Sequence, residues 1–397
     1  EDSHGNKDGN RAEQAQNDTE LKMITQKQLV AVIGRYDKNR ITVGTLGGHS
    51  ALDVCRGAKD EGFRTVVVCK KGRERTYEKY YRSREGKGVV DEIILVDKFS
   101  DIVKPEVQQH LRERNTFFVQ SRYFWVYCNY KDIENRFLVP IFGSRSMLKA
   151  EERTGKDNQY RLLDKAGIKT PKRFTNPRRI DGLVLVKATE AARGYERAFF
   201  FANSYSDYKA KIKEMVEKKV ITAAAAKKAV IEEFILGTQV NFNFFHSTLA
   251  GELELLGTDT RRQTNIDGLL RLTTAEQIEV MKYVKPQYIE TGHVAVTVKE
   301  SLLEKAFDLG ERFISAAKKL YPPGIIGPFA LQAAVKPGPP EEEIIVFDIS
   351  ARIPGSPGIA ATPYSSYLYG KPVTSGRRIA MEIRQAIRQD RIMEIVT

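Results

Sequence analysis

The sequence reads GPFALQ at residues 327–332 and IIVFDISARIPG at residues 344–355, with a polar, proline-rich turn between them. This pattern predicts two neighbouring antiparallel strands, whose end residues lie side by side. Gln332 ends the first strand, and Asp348 and Ser350 end the second, so that oxygen-bearing side chains meet. Mg²⁺ prefers oxygen ligands and keeps other positions for phosphate and water. The pair of strands is therefore a candidate metal site.

Arg352 lies just beyond the second strand and carries a planar guanidinium that suits phosphate. With the strand ends, it indicates a site for a phosphorylated ligand. The alternative is a buried hairpin in which Asp348 pairs with Arg352 only for packing. This stretch alone does not separate the two interpretations.

The length and composition indicate more than one packed unit. The chain has 397 residues, of which 41% are apolar, and this suits two or three subdomains. Residues 1–24 are too polar to bury a core and predict a disordered tail. No run approaches the roughly 18 apolar residues of a membrane span, so we expect no membrane association. Three separated cysteines without metal-ligand spacing are typical of a reducing, cytoplasmic compartment.

The net charge of +13 raises the question of nucleic-acid binding, since basic patches attract phosphate of any sequence. However, the 64 lysines and arginines are interleaved with 51 acidic residues, and no nucleic-acid-binding signature is recognisable. A basic cleft also attracts nucleotides and phosphorylated metabolites. We therefore expect small-molecule substrates and no nucleic-acid partner.

Strands alternate with helices over residues 25–145, which predicts an open parallel α/β domain. A strand from Ile41 leads through Gly47-Gly48-His49-Ser50 into a helix, and a fourth strand is predicted over residues 116–124. Ligands of such domains bind at the carboxyl ends of strands, and a helix N-terminus there favours an anion. His49 is thus a candidate ligand-binding residue. The alternative is an ordinary turn in which Ser50 caps the helix.

The second part of the chain is predicted to begin near residue 145, after an irregular connector over residues 137–145, with a helix over residues 147–167 and a strand that ends on Lys187. Residues 230–247 are predicted to form a strand, a turn and a strand, for which a simple hairpin is the alternative. A strand over residues 252–259 precedes a polar loop, TRRQTNIDG, which is either a rim for phosphate and substrate or a solvated surface loop. His293 is interpreted as structural.

Six stretches of the chain, in order, resemble the formate-dependent 5-formaminoimidazole-4-carboxamide ribonucleotide synthetases, a family of ATP-grasp ligases. They are TLGGHSALDVCRGAKDEGF, FLVPIFGSR, IEEFILGTQ, ELLGTDTRRQTNIDGLLRL, ESLLEKAFDLGERF and PPGIIGPFALQ. Agreement of several separate stretches in one order is far more specific than any single motif. The resemblance covers nearly the whole chain after about residue 28.

The resemblance implies both a fold and a reaction. An N-terminal α/β domain over residues 25–145 would bind the ribonucleotide, and an ATP-grasp domain over residues 146–397 would carry a small lid at residues 168–236. ATP would phosphorylate formate to formyl phosphate, which the amine of the aminoimidazole carboxamide ribonucleotide then attacks, in purine biosynthesis. The cofactors would be ATP and Mg²⁺, with Mn²⁺ as a substitute. We expect a cytoplasmic homo-oligomer.

The resemblance also implies roles for particular residues. Those expected to bind ATP are Lys149 and Lys187 at the phosphates, Glu232, Glu233, Phe234 and Ile235 at the adenine, and Gln239 at the ribose. Those expected to bind the ribonucleotide are His49, Ser50, Tyr123, Arg261 and Asn265. Gln332 and Asp348 would hold the metal, and Lys187 and Arg352 would neutralise charge during catalysis.

The chain departs from the family pattern at three places. The loop after Lys187 has a single glycine, Gly194, so Arg193 and Arg197 are expected to bind phosphate by side chain in place of backbone amides. Tyr123 stands where the family has a small hydroxyl residue, and Asp348 replaces the usual Glu. Two alternatives therefore stay open: a divergent ligase that joins another acid to an amine, and a nucleotide-binding paralogue without turnover.

Overall fold

The structure is a computed structural model that describes residues 23–152, 158–188, 199–284 and 290–397. Its strands form three β-sheets, one with parallel strands and two with antiparallel strands. The polar tail predicted over residues 1–24 lies almost entirely outside the described residues. Within these ranges, no helix is both long enough and apolar enough to cross a membrane.

The first sheet is parallel, as the alternation of strands and helices predicts. Its strands, in the order β3-β2-β1-β4-β5, are β1 (Thr42–Leu46), β2 (Arg64–Lys70), β3 (Glu92–Val96), β4 (Thr116–Val119) and β5 (Ile141–Phe142). The α-helices in this part of the chain are α1 (Gln26–Ile33), α2 (Ala51–Asp60), α3 (Pro105–Glu113), α4 (Arg122–Tyr127) and α5 (Tyr130–Arg136). Because β1 lies between β2 and β4, the segments that follow β1 and β4 meet at the point where the strand order reverses.

Two predictions for this region are wrong in detail. The strand predicted over residues 116–124 ends at Val119, and the aromatic segment after it is α4, whose first turn is capped by the Ser121 hydroxyl. The connector at residues 137–145 is not irregular throughout, because it contains the short strand β5.

A small antiparallel sheet follows, with the order β7-β6-β8. Its strands are β6 (Val184–Lys187), β7 (Phe199–Ala202) and β8 (Val230–Glu233), and the accompanying helices are α6 (Gln159–Lys165), α7 (Tyr205–Glu217) and α8 (Ala223–Lys227). The single helix predicted over residues 147–167 is wrong. In its place there is a 3₁₀ helix, Arg145–Glu151, and α6, with residues 153–157 outside the described ranges.

The large antiparallel sheet has the order β11-β10-β9-β12-β13. Its strands are β9 (Thr238–Ser247), β10 (Glu252–Gln263), β11 (Glu290–Ala295), β12 (Gly327–Lys336) and β13 (Glu343–Ser350), and the last two are the predicted pair at the candidate metal site. The remaining helices are α9 (Thr264–Leu269), α10 (Thr274–Val280), α11 (Glu300–Leu320), α12 (Tyr364–Tyr369) and α13 (Ser375–Arg388). The hairpin alternative for residues 230–247 is wrong, because β8 and β9 belong to different sheets.

Alternation along β9 separates the core of the large sheet from its polar face. Phe242 and Phe244 pack in the same core as Phe313 of α11, whereas Asn241 and Asn243 line a polar pocket on the other face. The helix α11 buries its apolar side as its periodicity predicts. One face of the sheet therefore supplies stability, and the other is available for chemistry.

The last elements of the chain pack against the first sheet. At the crossing of α2 and α13, a Cβ on Gly57 would lie 2.2 Å from the Arg377 backbone nitrogen, and one on Gly376 would lie 2.2 Å from the Asp53 carbonyl oxygen. The buried Asp53 carboxylate also accepts the Gly376 N–H at 2.9 Å. Ile141 and Thr397 exchange backbone hydrogen bonds of 3.1 and 2.9 Å. Residues 375–397 thus complete the packing around a sheet that begins more than 300 positions earlier.

Candidate active site

The turn after β1 touches the segment that follows β13. Ser50 Oγ donates a hydrogen bond of 2.8 Å to the Pro354 carbonyl oxygen. A Cβ on Gly355 would lie 2.0 Å from His49 Nε2, so only a glycine leaves room for the imidazole there. Ser50 has φ +66°, and its hydroxyl bonds to Pro354 and not to the start of α2, so the capping alternative is wrong. The two ligand-binding segments predicted from the sequence are therefore neighbours.

The hydrogen bonds of Ser50 indicate which ring nitrogen of His49 carries a proton. The single hydroxyl proton of Ser50 is donated to Pro354, so its oxygen accepts from His49 Nδ1, 3.2 Å away. Nε2 is then left as an acceptor. Burial, with the nearby Arg352 and Arg122, lowers the pKa of His49 to about 3, so the ring is neutral at physiological pH.

Tyr123 lies beside the same turn. Its ring packs so closely on Gly48 that a Cβ there would come within 2.1 Å of it, and it makes aromatic contacts with Phe99 and Tyr127 at centroid distances of 5.0 and 4.9 Å. The tyrosine therefore fills space beside the turn.

A row of four polar side chains crosses the large sheet. Backbone register pairs Asp259 with Asn241, Asn241 with Gln332, and Gln332 with Asp348, which places their side chains on one face. All four are at least 90% buried. The two residues predicted to hold a metal are thus adjacent members of a longer polar row.

The donor set at Gln332 and Asp348 suits a hard cation with few protein ligands. Gln332 Oε1 accepts a hydrogen bond from Arg261, and its Nε2 donates to Ser350 Oγ at 3.3 Å. Among the described residues, no group of three or more His, Cys, Asp or Glu could hold a metal ion. A cation at Asp348 would therefore depend on phosphate oxygens and water for its other ligands, as Mg²⁺ commonly does.

Lys187 connects the small sheet to this site. Its Nζ lies 2.5 Å from Glu232 Oε2 and donates at 3.4 Å to the carbonyl oxygen of Phe347, the residue before Asp348. Both side chains of the ion pair are almost fully buried, and Tyr160 donates its hydroxyl to the other oxygen of Glu232. The Glu232 carboxylate therefore pairs with the predicted phosphate ligand.

The other residues predicted for ATP and substrate are placed as follows. The N–H groups of Glu233 and Phe234 donate to the Lys172 and Leu183 carbonyls, Ile235 is half-buried, and Gln239 is exposed near the start of β9. Lys149 Nζ lies 3.5 Å from Glu134 Oε1, and Arg352 Nε lies 3.3 Å from Glu151 Oε1. Arg193, Arg197 and the side chain of Asn265 lie outside the described part of the chain.

The polar face of the large sheet forms a pocket with the turn after β1. Arg261, predicted in a loop, lies on β10, because that strand continues to Gln263. The residues that line the pocket are His49, Arg122, Asn241, Asn243, Asp259, Arg261, Glu290, His293, Ala330, Gln332, Ser350, Arg352, Pro354 and Gly355. The alternation of asparagine and phenylalanine in β9 is the sequence signal that could have indicated this pocket.

His293, interpreted from the sequence as structural, also lines this pocket. Its Nδ1 bonds to Asp259 Oδ2 and its Nε2 lies 3.0 Å from Glu290 Oε1. Asn241 and Asn243 donate to the same Asp259 carboxylate at 3.0 and 2.6 Å. Burial opposes protonation of the ring, but the hydrogen bonds to Asp259 and Glu290 outweigh it and raise the pKa of His293 to about 9.

The raised pKa of His293 predicts a pH dependence of stability. A histidine with a higher pKa in the folded state stabilises the fold fully below its unfolded value near 6.5, and this contribution is lost as the pH rises through about 9. The stability difference between wild type and His293→Gln should therefore shrink by about 3 kcal/mol over that interval. Urea unfolding from pH 6 to pH 10 measures it, and a constant difference would contradict the assignment.

Two family models match the chain. One, described as "Protein of unknown function (DUF1246)", matches residues 43–174, and the other, described as "Domain of unknown function (DUF1297)", matches residues 207–397. The first match includes nearly all of the parallel sheet, and the second includes the whole large antiparallel sheet.

One relative and one solved structure each match almost the whole chain. A relative from Methanothermobacter thermautotrophicus, named 5-formaminoimidazole-4-carboxamide-1-(beta)-D-ribofuranosyl 5'-monophosphate synthetase, is 40% identical over 379 residues, which are 95% of this chain and 100% of the relative. The crystal structure of an IMP biosynthesis protein PurP from Thermococcus kodakaraensis has a TM-score of 0.66 and 27% identity, covering 89% of this chain and 100% of that one.

A more distant structure supports the fold alone. The biotin carboxylase domain of the Hydrogenobacter thermophilus 2-oxoglutarate carboxylase, in a complex with MgADP, has a TM-score of 0.54 at 13% identity, covering 85% of this chain and 69% of that one. The fold is that of the ATP-grasp enzymes. The extent and identity of the match to the Methanothermobacter relative decide the family: this chain belongs to the 5-formaminoimidazole-4-carboxamide ribonucleotide synthetases.

Proposed function

We propose that this chain is an ATP-dependent ligase that formylates the amine of 5-aminoimidazole-4-carboxamide ribonucleotide with formate, in purine biosynthesis. One observation carries the proposal. His49 and Ser50, at the carboxyl edge of the parallel sheet, contact residues 354–355, directly after the strand that carries Asp348. A ribonucleotide bound at the turn would therefore lie next to the centre of phosphoryl transfer.

ATP and a divalent cation supply the phosphoryl group and the charge that activate the acid. Asp348, with Gln332 beside it, would hold Mg²⁺ or Mn²⁺, because the site offers oxygen ligands. Lys187 is held next to Asp348 through the Phe347 carbonyl, so its charge lies where phosphate charge develops. Phosphoryl transfer depends mainly on positioning and charge neutralisation. The chain supplies both without a protein nucleophile.

The neutral His49 ring favours one kind of ligand at the turn. An Nε2 that accepts hydrogen bonds suits a ribose hydroxyl or an amine better than a phosphate oxygen, which also only accepts. The nearby guanidinium groups of Arg122 and Arg352 suit the anionic parts of the substrates. The other proposed contacts are Lys149, Arg193, Arg197 and residues 232–239 for ATP, and Tyr123, Arg261 and Asn265 for the ribonucleotide. A cytoplasmic homo-oligomer is part of the same proposal.

Product analysis tests the proposed reaction. The purified chain is mixed with ATP, Mg²⁺, labelled formate and the ribonucleotide, and ADP release and label transfer are followed. We expect ADP release that requires both formate and the ribonucleotide. Release that depends on another acid would favour a divergent ligase, and nucleotide binding without any release would favour the paralogue without turnover.

Replacing His49 should affect one substrate and not the other. His49→Ala removes a hydrogen-bond acceptor from the turn, so the KM of the ribonucleotide should rise by about tenfold, as a typical loss of one good hydrogen bond predicts. The KM of ATP should change little. Ser50→Ala is the matched variant. It should have a smaller effect, because it removes only the hydrogen bond that orients the His49 ring. An unaltered ribonucleotide KM in His49→Ala would make this turn an ordinary connection.

A further inference from the structure

His293 lies opposite Arg261 in the large sheet. Strands β10 and β11 pair these two residues directly, and Asp259 precedes Arg261 by two positions, so all three side chains share one face. The His293 side chain is only 13% exposed, and Asp259 is 1% exposed. The group is therefore built into the sheet, within the polar pocket.

Hydrogen-bonding rules decide the charge of the His293 ring. Each of its two nitrogens faces a carboxylate oxygen, Nδ1 toward Asp259 and Nε2 toward Glu290. Ionised carboxylates only accept hydrogen bonds, so both nitrogens must donate, and a ring with two N–H groups is an imidazolium. The side-chain amides of Asn241 and Asn243 also donate to Asp259.

Glu290 connects His293 to Arg261. Its Oε1 accepts from His293, while its Oε2 lies 3.1 Å from Arg261 Nε. Arg261 Nη2 in turn donates to Gln332 Oε1, next to Asp348 in the polar row. A neutral ring could not donate to both carboxylates, and Glu290 would then lose the contact that holds it against Arg261.

The imidazolium also sets the charge balance of the pocket. With His293 protonated and His49 neutral, the lining residues carry four positive groups, on Arg122, Arg261, Arg352 and His293, against the two carboxylates of Asp259 and Glu290. An excess of positive charge favours the anionic groups of the reactants.

We propose that His293 is a positioning residue, which as an imidazolium between Asp259 and Glu290 directs the Arg261 guanidinium toward Gln332 of β12, beside Asp348 of β13. The inference rests on the proposed function only for the identity of the substrate. His293 itself does not touch the reacting atoms in this proposal; it acts through Glu290 and Arg261.

A double-mutant cycle tests the route through Arg261. His293→Gln should lower the affinity for the ribonucleotide, measured by calorimetry, and kcat/KM by at least about tenfold. Arg261→Ala should lower both, and the double variant should lose no more than Arg261→Ala alone, because the two residues act in series. Additive losses would show that His293 acts independently of Arg261 and would overturn the proposal.

The matched control is His246→Gln. His246 is a partly buried histidine on β9 whose Nδ1 bonds to the Ile325 carbonyl at 2.6 Å, outside the pocket. This substitution should leave affinity and activity unchanged. If His293→Gln does not fold, Glu290→Gln replaces it in the cycle, because the proposed route passes through Glu290.

Nuclear magnetic resonance tests the charge without any reaction. The chain has five histidines, so labelled imidazole signals can be assigned by comparison with the His293→Gln and His246→Gln spectra. The His293 signal should stay that of an imidazolium up to about pH 9, whereas an ordinary histidine titrates near 6.5. Titration near 6.5 would overturn the proposal even in an active enzyme. Absence of formate-dependent ADP release would overturn the proposed function and leave the titration of His293 as an independent test of its charge.

Discussion

Replacing Asp348 with asparagine is expected to lower kcat by about 10²- to 10³-fold, the usual cost of one lost charge contact in the transition state. Asp348 is 8% exposed, and its register partner Gln332 offers only a neutral oxygen. The substitution keeps the size of the side chain, so the melting temperature should stay close to that of wild type. Turnover is measured over a range of Mg²⁺ concentrations.

Ser350→Ala is the matched control for this experiment. Ser350 lies on the same strand and accepts from Gln332 Nε2 at 3.3 Å, but it carries no charge. Its loss should reduce turnover far less than Asp348→Asn. Near-normal kcat in Asp348→Asn at saturating Mg²⁺ would exclude Asp348 as the carboxylate ligand of the metal.

Lys187→Met should both destabilise the fold and abolish detectable turnover. It leaves the Glu232 carboxylate buried without its cation, and we expect this to lower the free energy of unfolding by about 3–5 kcal/mol. The hydroxyl of Tyr160 remains on one carboxylate oxygen and offsets part of the cost. Urea unfolding and the ADP-release assay measure the two effects on the same preparation.

A second substitution separates stability from catalysis at this position. Lys187→Met combined with Glu232→Gln removes the unpaired charge and still gives Tyr160 an acceptor, so most of the lost stability should return. Turnover should stay low, because this variant lacks the Lys187 ammonium that contacts the Phe347 carbonyl. Recovery of turnover together with stability would mean that Lys187 serves the fold and does not contact phosphate.

The strands at the site could be predicted because their patterns are local. Each strand of the β12–β13 pair shows an apolar run with polar residues at its end, and the strand before His49 ends in two glycines. Asp348 and the turn at His49 lie near strand ends as these patterns predict, but β12 continues to Lys336, so the prediction that Gln332 ends its strand is wrong. The contact between residues 49–50 and 354–355 was not predictable, because it depends on how two separate sheets pack.

The predictions that are wrong also have physical causes. The segment RYFWVY is rich in aromatic residues that favour strands, but the cap from Ser121 and burial of Phe124 make it the helix α4. The polar residues 260–263, with two arginines, suggest a solvated loop, yet β10 continues through them because Arg261 faces a polar pocket. The contact of His293 with Asp259 could not be predicted from nearby sequence, because it depends on the register between β10 and β11.

The packing of α13 on α2 has a consequence for synthesis of the chain. The Asp53 carboxylate and the Gly376 amide that it accepts are separated by 323 positions, so the face of α2 that α13 covers cannot be buried until residue 376 has been made. Until then, the glycine face of α2 stays exposed on the nascent chain beside an otherwise finished sheet. Contacts of such long sequence separation form slowly and leave apolar surface open to aggregation. Packing around the N-terminal sheet is therefore expected to be completed only after residues 375–397 have left the ribosome.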